Sequence, residues 1–157
     1  MTVIGSLVAG QVLTASELNA VGAWTSFTPT LTNVTLGTVT QSNTGQYSLL
    51  NKTLFMRGKF VLGTGGSVTG GITIAMPTGT MAVSPTMQFQ PNGSAVLTDS
   101  GVASYFAVGL QSTTSLLALY VVNSAGTYAT AVTTSATVPF TWAVNDYCEW
   151  AFTIQVA

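Results

Sequence analysis

Proton-transfer catalysis needs positioned carboxylates or a histidine, and this chain offers few of either. Its acidic residues are Glu17, Asp99, Asp146 and Glu149, and it contains no histidine. Asp146 and Glu149 are the closest pair, but a spacing of three on a strand puts them on opposite faces. They read as a turn residue and a solvated face rather than as an acid/base pair. Cys148 is the single cysteine. A thiol nucleophile needs a base to ionise it, and no histidine is present to do so. One cysteine and no histidine also fall short of a zinc shell, and no calcium-loop motif accompanies the carboxylates. Gly63 to Gly71 is glycine-rich but lacks the lysine and the following helix of a phosphate loop. The expectation is a chain that is not an enzyme and carries no cofactor or metal.

Binding chemistry is what remains. Lys52, Arg57 and Lys59 are the only cations, and they sit close together in sequence. They suit an acidic glycan or a partner's carboxylate. Aromatic side chains stack on sugars through an apolar face with a polar rim. Trp24, Trp142, Trp150 and the tyrosines are available for this, although Trp150 lies in the core register of the last strand. The candidate surface contacts are therefore Lys52, Arg57, Lys59, Tyr105, Tyr128 and Trp142. Asn33-Val34-Thr35, Asn51-Lys52-Thr53 and Asn92-Gly93-Ser94 match the glycosylation pattern, which has no meaning without a secretory signal.

Composition bounds the rest. Only 4% of the 157 residues are charged, against about 25% in an ordinary soluble domain. Apolar residues make up 47% and the net charge is −1. High hydrophobicity with low charge argues against disorder, and near-zero charge favours self-association. Three cations make no basic field for nucleic acid. Residues 1–13 lack the basic start of a secretory signal. The longest strongly apolar run, Leu116 to Val122, is far shorter than the ~20 residues of a spanning helix, so no membrane insertion is expected.

The elements that must position these residues are short. Thr14-Ala15-Ser16-Glu17 has the form of a capping box. It predicts a helix over residues 15–21, stopped at Gly22 and preceded by an extended arm. So short a helix must pack on something, and Val12, Leu13, Leu18 and Val21 are its candidate docking residues. From Trp24 the pattern is β. Trp24 to Leu31 is Thr-rich and broken by Pro29, as an edge strand would be. A turn at Asn43-Thr44-Gly45 leads into Gln46–Leu50. In Thr53–Leu62, alternation puts Leu54, Met56, Phe60 and Leu62 on one face. Phe55, Arg57, Lys59 and Val61 take the other face, which should be outward. Residues 63–71 read as a loop, and Ile72–Met76 as a short strand ending at Pro77. Pro91-Asn92-Gly93-Ser94 is the strongest hairpin signal. Phe106, Val108 and Leu110 share one face of the next strand. Leu116–Val122 reads as buried on both faces, and Asn123-Ser124-Ala125-Gly126 turns it into Thr127–Thr133. Cys148, Trp150, Phe152, Ile154 and Val156 should face the core in the last strand. Many short strands with Gly, Pro and Asn turns predict an all-β fold. The expected architecture is an antiparallel β-sandwich, jelly-roll-like, over residues 23–157, with the arm and helix in residues 1–22.

Two segments carry a resemblance. Gly10-Gln11-Val12-Leu13-Thr14-Ala15-Ser16-Glu17-Leu18-Asn19-Ala20, then Trp24-Thr25-Ser26-Phe27-Thr28-Pro29-Thr30, resembles the opening of small tail and fibre proteins of bacteriophages. In those proteins a GQ-x-LTA-x-x-LN segment leads into a W-x-x-[YF]-TPT strand. Gly45-Gln46-Tyr47, continuing through Asn51-Lys52-Thr53-Leu54-Phe55-Met56-Arg57-Gly58-Lys59-Phe60, is similar to their G-x-Y…G-x-T-V-x-V-R-x-x-F hairpin, with Asn51 where the family often has Gly. The likeness covers residues 10–76. It implies a virion protein made in the host cytoplasm, usually a homotrimer with a β-sandwich head. Residues 1–22 would dock on other virion proteins, and the head would face outward toward host-surface glycan. The family supplies no catalytic site. Two alternatives stand beside a trimeric fibre or appendage: a capsid decoration or head-fibre protein that stabilises the shell, and a stand-alone carbohydrate-binding module.

Overall fold

The computed structural model describes residues 14–15, 21–40, 43–77 and 91–156. Ten strands make up the regular structure of these residues. They are β1 (Thr25–Phe27), β2 (Leu31–Thr35), β3 (Asn43–Leu50), β4 (Thr53–Val61) and β5 (Ser67–Ala75), then β6 (Pro91–Asp99), β7 (Ala103–Gln111), β8 (Leu116–Asn123), β9 (Thr130–Thr133) and β10 (Tyr147–Gln155). All pair antiparallel in a single sheet of order β1-β3-β4-β10-β6-β7-β8-β5-β2, with β9 on β8.

The sheet curls onto its own inner face. β4 and β5 are far apart in the strand order, yet Leu54, Met56 and Phe60 of β4 share one buried cluster with Ile72 and Ile74 of β5. β1 and β2 are consecutive in the chain but lie at the two ends of the order. The buried Pro29 between them breaks the ladder, because it has no N–H to donate. The chain therefore pairs with β3 before the proline and with β5 after it. Asn43 Nδ2 donates to the Pro29 carbonyl, and Ala75 N to that of Thr30 at 2.9 Å. One short segment thus ties the two edges together.

Where alternation is strict, the expected faces hold. Leu54, Met56, Phe60 and Leu62 are buried, as are Cys148, Trp150, Phe152, Ile154 and Val156. Leu117, Ala118 and Leu119 are buried in succession, but Val122 is exposed, so only the first part of β8 is covered on both faces.

The all-β, antiparallel class holds, as one curled sheet. Several expectations are corrected. Asn43-Thr44-Gly45 is the start of β3 rather than a turn, because Gly45 packs beneath the Phe27 ring. The glycine-rich stretch is a turn only over residues 63–66, and residues 67–71 belong to β5. Asn33 Nδ2 donates to the Gly71 carbonyl at 2.8 Å and its side chain lies over Gly70. Pro91–Ser94 is a register shift inside β6 rather than a hairpin. Of the helix expected over residues 15–21, residues 16–20 lie outside the described residues, as do Val12, Leu13 and Leu18. Val21 is described and is 46% exposed. No helix among the described residues is long and apolar enough to cross a membrane.

Phe106, Val108 and Leu110 do share a face, but it is the outer one. Phe106 is 57% exposed and pairs with the exposed Val96. Val122 and Val102 are exposed on the neighbouring strand and turn. The β7 residues on the inner side are Tyr105, Ala107 and Gly109.

Candidate functional site

Three of the chain's seven charged residues converge on the outer face of β4 and β10. Arg57 and Lys59 are two apart on β4, hence on one face and about 7 Å apart along the strand. Glu149 of β10 is the cross-strand partner of Lys59, and Lys59 Nζ bonds its Oε1 at 2.9 Å. This pair is solvent-accessible, with side-chain exposures of 40% and 53%. Its contribution to stability is therefore below ~1 kcal/mol. The Lys59 ammonium also lies 4.1 Å from the centre of the Tyr147 ring.

Arg57 is held differently. Its Nε and Nη2 both donate to Gln46 Oε1, at 3.1 and 2.9 Å. Its guanidinium lies 4.4 Å from the centre of the Trp24 ring. Trp24 is brought there by the chain ahead of β1, which Ser48 Oγ anchors through a 2.8 Å bond to the Gly22 carbonyl. Between the Arg57 and Lys59 rows runs an open groove of about 750 Å³, lined also by Ser26, Thr28, Thr44 and Gln46. Beneath it Gly45 and Gly58 are cross-strand partners. On the inner side any Cβ at these positions would strike the rings of Phe27 and Trp150. The groove floor is thus bare backbone backed by two aromatic rings.

The other candidates go elsewhere. Lys52 is exposed in the β3–β4 turn, five residues and about 17 Å of strand from Arg57. Tyr128 is 82% exposed beyond β8. Tyr105 is half-buried against Phe140, with ring centres 5.4 Å apart, and lines a second cavity of about 470 Å³ with Val121, Val132 and Val138. Trp142 is corrected outright. It is 9% exposed, stacks against Phe140 at 4.6 Å and Phe60 at 6.0 Å, and donates Nε1–H to the Ser135 carbonyl at 3.1 Å. An indole buried with its N–H satisfied is core. Sequence reasoning missed Gln46 and Glu149 as groove residues. Outward alternation on β10 was visible, but the register that sets Glu149 opposite Lys59 was not.

Asp146 and Cys148 are both built into the fold. Asp146 is 1% exposed and its carboxylate accepts backbone N–H groups from Ser100 and Ala143. Among the described residues no cluster of His, Cys, Asp or Glu could hold a metal. Cys148 is fully buried, and burial first, then the nearby Glu149 charge, pushes its thiol well above the usual range. Only the thiolate alkylates readily. The folded protein at roughly pH 8 should therefore resist iodoacetamide for hours while the denatured chain labels within minutes. Rapid labelling of the native protein, read by mass spectrometry, would place this thiol at the surface. No family model, curated protein or solved structure matches the chain.

Proposed function

We propose that this chain is a structural component of a bacteriophage particle, a small homotrimeric fibre or appendage whose β-domain attaches to glycan on the host surface. The observation that carries this reading is the division of one outer sheet face into two parts. Over β3, β4 and β10 it is a groove rimmed by Arg57, Lys59 and Glu149. Over β6, β7 and β8 it is an uncovered apolar stripe of Val96, Phe106 and Val122. Stripes of this kind mark interaction surfaces. A second copy would cover it, and copies of a chain with net charge −1 meet with little repulsion. Three weakly binding grooves on one particle then act together through avidity. The motifs resembling phage tail and fibre proteins, and the scarcity of catalytic groups, point the same way.

Light scattering coupled to size exclusion tests the assembly. The expected mass is close to three chains of 16.2 kDa. Phe106→Glu places a charge in the stripe and should leave a single-chain mass with unchanged circular dichroism. A variant that still assembles would show that the stripe is not the contact. A wild-type protein of single-chain mass would remove avidity and favour the stand-alone binding module.

A further inference from the structure

The groove carries a positive charge with no internal counterpart. Lys59 has Glu149. Arg57 faces Ala151 across the β4–β10 ladder, and among the described residues no carboxylate pairs with it. Yet the guanidinium is fixed in place by the Trp24 face and by two bonds to a single Gln46 oxygen. A guanidinium has five N–H donors in a planar fork, so most of them lie outside the Gln46 bonds. A cation already ordered loses little freedom when it binds a second acceptor, and its fork matches a carboxylate.

The lining says what carries that carboxylate. Ser26, Thr28 and Thr44 present hydroxyls and Gln46 an amide, which suit the hydroxyls of a sugar. The aromatic faces are already in use, because Arg57 covers Trp24 and Lys59 covers Tyr147. Recognition here rests on charge and hydrogen bonds rather than on ring stacking. An open groove of about 750 Å³ lies within the ~300–1,000 Å³ of ligand sites.

We infer that the groove binds an acidic saccharide, with the Arg57 guanidinium taking the sugar carboxylate and Glu149 acting as an internal competitor. Glu149 holds Lys59 and repels a second carboxylate, so it limits affinity. This deepens the attachment reading and depends on it only for where the saccharide resides.

Titration calorimetry with a galacturonate hexamer and with its fully methyl-esterified form tests the inference. The acid should bind at least tenfold more tightly than the ester. Arg57→Gln should weaken acid binding by about tenfold or more, as loss of a charged hydrogen-bonding group does. Arg57→Lys keeps the charge without the fork and should fall between. Glu149→Gln frees Lys59 and should raise affinity roughly threefold. Both residues are at the surface, and circular dichroism checks that each of the three variants keeps its sheet. Equal binding of acid and ester, or indifference to Arg57→Gln, overturns the inference. Polyglutamate binding as tightly as the saccharide overturns it too, by assigning the groove to protein carboxylates. Host cells that still bind the wild-type and Arg57→Gln proteins equally would sink the inference while leaving glycan attachment intact. A wild-type protein that binds neither cells nor saccharide would remove both.

Discussion

Gly93→Ala should destabilise the fold by about 3 kcal/mol, the sum of backbone strain and an overpacked contact. Gly93 has φ 140°, a region that side chains other than glycine's rarely enter. It sits in β6 where the register shifts, opposite Phe152 of β10. A Cβ there would fall on the Ala151 carbonyl oxygen and against the Phe152 backbone. Neither atom can swing aside, since both belong to a central strand paired on two sides. Gly101 supplies the matched control. It lies in the β6–β7 turn at φ 81°, and a Cβ there meets nothing within 4 Å. Gly101→Ala should cost only about 1 kcal/mol, the conformational part alone. Denaturant unfolding of both variants decides the matter. If the two costs are equal, Asn92-Gly93 is an open turn, as its dipeptide suggests, and the close packing of Gly93 on β10 is wrong.

Asp146→Ala is expected to cost about 3–4 kcal/mol, because it leaves two backbone N–H groups without their charged acceptor. Asp146 Oδ1 accepts from Ser100 N at 2.8 Å and Oδ2 from Ala143 N at 2.6 Å. Its own carbonyl accepts from Leu62 N at 2.8 Å, and Asn145 N donates to the Leu62 carbonyl at 2.8 Å. The residue thereby joins the β6–β7 turn, the end of β4 and the loop before β10. Asp146→Asn keeps one acceptor and should lose roughly half as much. Native-state hydrogen exchange should show the amides of Ser100 and Ala143 losing protection first. A solvated carboxylate would behave otherwise, with any change within ~0.5 kcal/mol. That outcome would return Asp146 to the pool of free acids from which chemistry could be built.

These two residues illustrate what could be read early. Asp146 was separable from Glu149 by parity alone, and its turn role follows from position. Its burial was not legible, because Ser100 is 46 residues away. Gly93 carried a strong local signal that pointed the wrong way. Asn-Gly favours positive φ in a hairpin, but positive φ also serves a bulge, and the choice depends on the strand lying opposite. On β7 parity showed which residues share a face but not which face is the core, and the small residues took the core side. Phe152 explains this, since its ring occupies the space beside Gly109 that a side chain there would need.

The candidate site divides in the same way. Arg57 and Lys59 were recognisable as a pair on the outward face of one strand, since two-residue spacing requires it. Trp142 went astray because an aromatic outside a clear alternating run has no parity to place it. Glu149 was expected outward and is outward, yet its partner Lys59 lies 90 residues earlier.

The sequence by itself determined the all-β class, the core faces of β4 and β10, and the poverty of catalytic groups. These are properties of composition and of the local period of two, which each strand expresses wherever it pairs. Only the tertiary structure decided the strand order, the curl of the sheet, and the groove of Arg57, Lys59 and Glu149. Those depend on register between strands distant in the chain, and a slip of a single residue would send every side chain of a strand to the opposite face.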